Sequence, residues 1–140
     1  MLYTGLTRSA GSVLEEQNDM TKNGSHKKKT YAKMVKLAWK MKSSLEENKL
    51  DEFGDLLHQN WELKKQLANG ISNGEINKWY EAARKNGAIG GKILGAGGGG
   101  FLLVYAPKDS HPKICKSLPD LRPIDFHFDS EGSKILFYEG

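Results

Sequence analysis

A glycine block, Gly90-Gly91-Lys92-Ile93-Leu94-Gly95-Ala96-Gly97-Gly98-Gly99-Gly100, runs straight into the apolar stretch Phe101-Leu102-Leu103-Val104-Tyr105-Ala106. Glycine gives up more backbone freedom on ordering than any other residue. Four in a row between two strand-like segments therefore predict a backbone that bends sharply or approaches another group closely. Main-chain N–H groups in such a loop suit an anion, a phosphate above all. A ligand-free hairpin is the plainer alternative, but the glycine density exceeds what a turn requires. The flanking Lys92 reads equally as a counter-charge for an anion and as a solvent-facing guard on a strand edge.

Upstream of the block the apolar period is helical. Leu6, Ala10, Val13 and Leu14 share one face of a first helix with Thr7 as its N-cap. Asn23-Gly24-Ser25 breaks that helix. A second places Tyr31, Met34, Val35, Ala38, Met41 and Leu45 at helical spacing, and a third carries Phe53, Leu56, Leu57, Trp61 and Leu67. Asn69-Gly70 is a stop signal. Ser72-x-x-Glu75 opens a fourth helix as a capping box, with Ile76, Trp79, Tyr80 and Ala83 buried and Gly87 at its end. From residue 88 the period becomes that of strands. Residues 88–94 and 101–106 are strand candidates, and residues 110–118 make a short helix. Residues 124–128 and 134–138 alternate as strands about the turn Asp129-Ser130-Glu131-Gly132. Helices followed by a β-α-β-β tail predict an α+β domain with a small, mostly antiparallel sheet.

The 140 residues suit a single domain, with 38% hydrophobic and 27% charged residues favouring a folded chain. Cys115 is the one cysteine and has no internal partner, which points to a reducing, cytoplasmic setting. No stretch approaches the roughly 20 apolar residues of a membrane span, and the first residues lack the pattern of a signal or transit peptide. The net charge of +4 is concentrated in Lys27-Lys28-Lys29 and the lysines that follow, Lys33, Lys36, Lys40 and Lys42. A basic helix of this kind suits a phosphate backbone. A solvated helix face is the favoured reading, because base-stacking aromatics are not interleaved with the lysines.

Gly95-x-Gly97-x-x-Gly100 fits the dinucleotide fingerprint as a bare string, but that fingerprint needs a helix after its last glycine, and Phe101 onward favours a strand. No Gly-x-x-x-x-Gly-Lys-Ser/Thr string occurs, which removes the Walker loop. A protein-kinase lid would need a His-Arg-Asp loop and an Asp-Phe-Gly ligand; the nearest string is Glu52-Phe53-Gly54, inside a helix. Glu15, Glu16, Asp51, Glu52 and Asp55 read as helix surface. His26, His58, His111 and His127 lack metal-ligand spacing. Cys115 reads as a small core residue, and Trp61, Trp79 and Tyr80 as helix core.

The block from Gly90 to Phe101 resembles the third motif of the GHMP kinase superfamily, which includes galactokinase, homoserine kinase, mevalonate kinase and phosphomevalonate kinase. Tyr3-Thr4-Gly5-Leu6-Thr7-Arg8-Ser9-Ala10 is similar to the segment that opens the C-terminal half of bacterial heptose 7-phosphate kinases and related sugar kinases. Ser72-Asn73-x-Glu75-Ile76, Gly87-Ala88-x-Gly90-Gly91-Lys92 and Phe126 through Gly132-Ser133-Lys134-Ile135 follow the same template, so the likeness spans nearly the whole chain.

The resemblance implies a ferredoxin-like C-terminal domain over residues 1–140, with several helices packed on the sheet. It implies an enzyme that moves the γ-phosphoryl of ATP, with Mg²⁺, to a sugar hydroxyl. The family's Pro-x-x-x-Gly-Leu-Gly-Ser-Ser-Ala loop is absent from these residues. The implied partners are therefore the N-terminal, ATP-binding half of the kinase and a sugar phosphate, with neither nucleic acid nor membrane. The catalytic acid residues and any metal ligand belong to that other half, and this chain alone is expected to be inactive and to self-associate. Gly95, Ala96, Gly97, Gly98, Gly99 and Gly100 would form the phosphate-proximal loop, with Thr4, Gly5, Arg8 and Lys92 as sugar-phosphate contacts. A non-catalytic binding module of the same fold is the alternative.

Overall fold

The structure is a computed structural model that describes residues 1–7, 11, 25–129, 131, 134, 135 and 137. Strand β1 (Leu2–Tyr3) is followed by helices α1 (Ser25–Glu46), α2 (Leu50–Lys65) and α3 (Gly74–Lys85). Then come β2 (Gly90–Ile93), β3 (Phe101–Tyr105), α4 (His111–Ser117) and β4 (Arg122–Pro123). The sheet order is β2-β3-β1-β4, with every neighbouring pair antiparallel. A β-α-β-β-α-β chain in that order is the ferredoxin-like arrangement predicted above.

Its core lies between helices and sheet. Trp61 of α2, Ile71, Ile76 and Tyr80 meet Leu2, Ile93 and Leu102 of the sheet and Ile114 and Leu118 at α4. Trp61 is fully buried, and its indole N–H has no acceptor among the described residues. The ring packs at 6.2 Å from that of Tyr80, and the Lys65 ammonium lies 5.9 Å from its centre.

α2 lies against β2 at unusually close range, and two glycines permit it. A Cβ on Gly54 would stand 2.6 Å from Tyr105 Cδ1, and one on Gly90 would penetrate the Gly54 carbonyl oxygen. Helix and strand backbones thus touch where side chains normally intervene.

Several local expectations need correction. The N-cap of α3 is Asn73, whose side chain accepts the Ile76 N–H at 2.9 Å. Ser72 lies one residue further out and donates to Asn77 Oδ1, so no Ser72 capping box forms. Such a cap contributes about 1 kcal/mol. Val35 and Leu45, placed on the buried stripe of the second helix, are exposed, as is Ala38. α1 packs chiefly on α2, with Tyr31, Met34, Leu37 and Met41 half-buried, so it needs only a narrow stripe. Trp39 is 66% exposed on the outer side among Lys36, Lys40 and Lys42, so that face does carry one aromatic.

The last strand is also displaced. The ladder with β1 involves Arg122 and Pro123, extended by an Ile124 N–H to Met1 carbonyl bond of 2.8 Å; residues 125–128 leave the sheet. β1 itself is too short for an alternation signal, since its side chains number only those of Leu2 and Tyr3. Of residues 134–138, those described (134, 135 and 137) are not in a strand. Apart from Gly11, which is helical, the expected first helix behind Thr7 falls outside the described residues, as does the Asn23-Gly24 break, while Ser25 already belongs to α1. No helix among the described residues is long and apolar enough to cross a membrane.

Candidate functional site

The β2–β3 connection is the glycine loop. Leu94 N–H bonds the Phe101 carbonyl at 2.9 Å and closes its base. Four of its glycines have a positive φ that L side chains rarely adopt: Gly95 (74°), Gly97 (116°), Gly98 (78°) and Gly100 (82°). Gly99 is needed for a different reason. A Cβ there would stand 2.5 Å from the Leu6 carbonyl oxygen. Gly97 meets both conditions, since its Cβ would lie 2.7 Å from Ile71 Cα.

The loop is tied to the body at three places. Gly98 N–H donates to the Ile71 carbonyl, and Gly100 N–H to the Leu6 carbonyl, each at 2.9 Å. Thr4 grips the Gly100 carbonyl twice, with its N–H at 2.9 Å and its hydroxyl at 2.8 Å. The Lys64 ammonium holds the Gly95 carbonyl at 2.6 Å. Two of the N–H groups expected to face an anion are thus engaged with the chain itself. Those of Gly97 and Gly99 have no partner among the described residues.

Between the loop and the segment after β1 lies a cleft of 340 Å³. Leu6, Leu94, Gly97 and Gly99 line it, and Tyr3 and Phe101, with ring centroids 5.2 Å apart, close one end. Glycines give a wall of bare backbone here, and the ends of two strands supply apolar bulk.

Of the residues singled out from sequence, the structure brings Thr4, Gly95, Ala96, Gly97, Gly98, Gly99 and Gly100 together. Thr4 is buried, and its hydroxyl is committed to the loop: it donates to Gly100 and accepts the Leu6 N–H at 3.3 Å. Gly5 has φ 71° and open space around its absent Cβ. Lys92 is half-buried on β2, across from Leu103. Arg8 lies outside the described residues. Lys64 was not singled out, because in sequence it is one of two adjacent lysines ending a helix, where any cation suits the helix dipole. Burial pushes its ammonium below the ordinary lysine range, with the Lys92 charge a second cause. Asp51, Glu52 and Asp55 are exposed as expected, and no group of three His, Cys, Asp or Glu among the described residues could hold a metal.

Behind β2, Tyr80 and His58 form a second polar contact. The Tyr80 oxygen lies 2.7 Å from His58 Nδ1. Burial raises the Tyr80 phenol to about 12, so it stays protonated beside the imidazole. Desolvation, then the Arg84 charge, lowers the His58 pKa below its ordinary 6.5. The folded state thus binds this proton more weakly than the unfolded chain. The stabilisation is complete above about pH 6.5 and declines as the pH falls below it. Denaturant unfolding at pH 7 and pH 5.5 should show a loss on acidification that is smaller in His58→Gln.

A family model described as GHMP kinases C terminal matches residues 41–120. The D-glycero-alpha-D-manno-heptose 7-phosphate kinase of Campylobacter jejuni is 31% identical over 96% of this chain and 40% of its own length. The L-fucokinase/L-fucose-1-P guanylyltransferase of Bacteroides fragilis is 32% identical over 76% of the chain and 11% of its own. Among solved structures, L. major mevalonate kinase in complex with R-mevalonate superimposes with a TM-score of 0.76 at 25% identity, covering 84% of this chain and 36% of that one. The chain thus spans well under half the length of these relatives.

Proposed function

The chain belongs to the GHMP kinases, matching their C-terminal part, and we propose that it forms one wall of a site that transfers a phosphoryl group from ATP to a hydroxyl of a heptose phosphate. The observation that supports this most is the glycine loop, held in one shape by Thr4, Leu6, Ile71 and Lys64 beside an open cleft. Phosphoryl transfer depends chiefly on alignment and on stabilising spread-out negative charge. A rigid backbone wall whose Gly97 and Gly99 N–H groups have no partner among the described residues can do both. Heptose phosphate is favoured over other acceptors by the likeness to the Campylobacter jejuni enzyme across nearly all of this chain.

ATP and Mg²⁺ complete the reading: the triphosphate and its metal supply the transferred group and neutralise its charge. The described residues offer no carboxylate cluster for that metal. Its ligands, the catalytic base and the ATP loop are assigned to the N-terminal half. That half is the principal partner. Phe126, Phe128, Ile135 and Phe137 stand exposed, Phe128 by 93%, and are read as apolar contacts it would cover; alone, the chain would self-associate through them. Soluble, cytoplasmic work on a sugar phosphate follows from the same reading.

One observation favours a second reading, a non-catalytic module of the same fold. Gly95, Gly97, Gly98, Gly99 and Gly100 are each required by a positive φ or by contact with the chain's own backbone. The deciding experiment measures transfer from ATP to heptose 7-phosphate, fucose and mevalonate, by this chain alone and joined to an N-terminal GHMP kinase half. The expected result is no turnover alone, and turnover of about 1 s⁻¹ or more with heptose phosphate preferred when joined. Turnover by the chain alone, or preference for fucose or mevalonate, contradicts the proposal; silence in both forms favours the module.

A further inference from the structure

We propose that Lys64 and Lys92 together form a phosphate-binding seat at the outer foot of the glycine loop, in which Lys64 bridges the Gly95 carbonyl to a phosphomonoester. The inference rests on the loop being a wall of the phosphoryl-transfer site, and it names the residues that hold the phosphate the acceptor already carries.

Lys64 ends α2 and Lys92 lies near the end of β2, which runs beside that helix. Lys64 reaches the Gly95 carbonyl, three residues beyond Lys92, and the Lys92 charge opposes its own. Neither has a carboxylate within ion-pair distance among the described residues. Lys65, the next residue along, does: it pairs with Glu62 at 2.8 Å. Proteins ordinarily place acid between converging lysines, or let the long side chains diverge into water. Here one lysine is drawn in and fixed on a carbonyl at 2.6 Å.

An ammonium has three donors and no acceptor. Lys64 uses one on Gly95, leaving two for an incoming oxygen without releasing the loop. A phosphate dianion would relieve the repulsion between the lysines and accept charge-assisted hydrogen bonds from both. Because Lys64 also holds the Gly95 carbonyl, occupancy of the seat would stiffen the loop at the point where its backbone enters the first positive-φ residue. A neutral sugar lacks the group that would do this. The pair therefore selects phosphorylated acceptors over the free sugar.

The probe is inorganic phosphate, titrated into this chain while amide shifts of the loop glycines are followed by NMR. Saturable shifts centred on Gly95, and weakened by added salt, are expected. Lys64→Met and Lys92→Met should each weaken binding about fivefold or more, and Lys64→Arg, which keeps the charge, should retain most of it. Lys65→Met removes an equal charge one residue away and should leave binding unchanged within about twofold. Lys92 makes no bond to the loop, so its variant separates loss of the seat from loss of loop shape. Equal losses in Lys65→Met and Lys64→Met, or no shifts in the unsubstituted chain, overturn the proposal. Phosphate binding needs no catalysis, so a seat without turnover in the joined kinase would count against the kinase reading alone, and turnover without a seat against this one alone.

Discussion

A Gly90→Ala chain should unfold about 10 °C below the unsubstituted protein, a loss of about 3 kcal/mol. The new methyl group has nowhere to go. It would enter the Gly54 carbonyl oxygen, with the His58 backbone nitrogen 3.1 Å away, and helix backbone cannot step aside as a side chain can. Relief requires α2 to lift from β2, which would pull Trp61 from the core it fills and disturb the His58–Tyr80 contact. Thermal unfolding followed by far-ultraviolet circular dichroism reads the shift. A midpoint within about 2 °C of the parent would mean that helix and strand are not in backbone contact.

The loop should divide its glycines by cause. Gly97→Ala meets two penalties, a φ of 116° outside the range of L residues and a Cβ 2.7 Å from Ile71 Cα, and should lose about 2–4 kcal/mol. Gly95→Asn should lose under about 1 kcal/mol, because φ 74° is a conformation asparagine tolerates and the space beside it is open. Both measured by denaturant unfolding, the pair tests whether the loop's shape is imposed by the body of the protein. Similar losses at the two positions would mean that φ alone sets them, and that the contact with Ile71 is incidental.

Much of this was legible in the residues because the signals were long or chemically narrow. Three helical stripes and the Phe101 to Tyr105 run each extend over several residues, and the switch of period near residue 88 marks where helices yield to sheet. The loop's location followed from glycine's backbone freedom. Its internal ties did not, because they run to Thr4, Leu6, Ile71 and Lys64, residues whose partners are remote in sequence. β1 escaped notice since two residues have no period. The capping-box spacing pointed to Ser72, while the cap is its neighbour Asn73; both are good acceptors and only backbone geometry chooses between them. Val35 and Leu45 fit a helical stripe, yet α1 buries itself chiefly against α2.

The order β2-β3-β1-β4 carries a kinetic consequence. One of the sheet's two interior strands is the first in the chain, and the Thr4 hydroxyl that secures the loop does so across a separation of 96 residues. Contacts of such high contact order form late, because the entropy of closing the intervening chain is lost before they return anything. α2 and α3 can collapse on local contacts first, and the β2–β3 hairpin can form on its own register. The loop acquires its final shape only when the beginning of the chain threads in between β3 and β4. During synthesis the glycine loop's final shape is therefore among the last parts of the domain to exist.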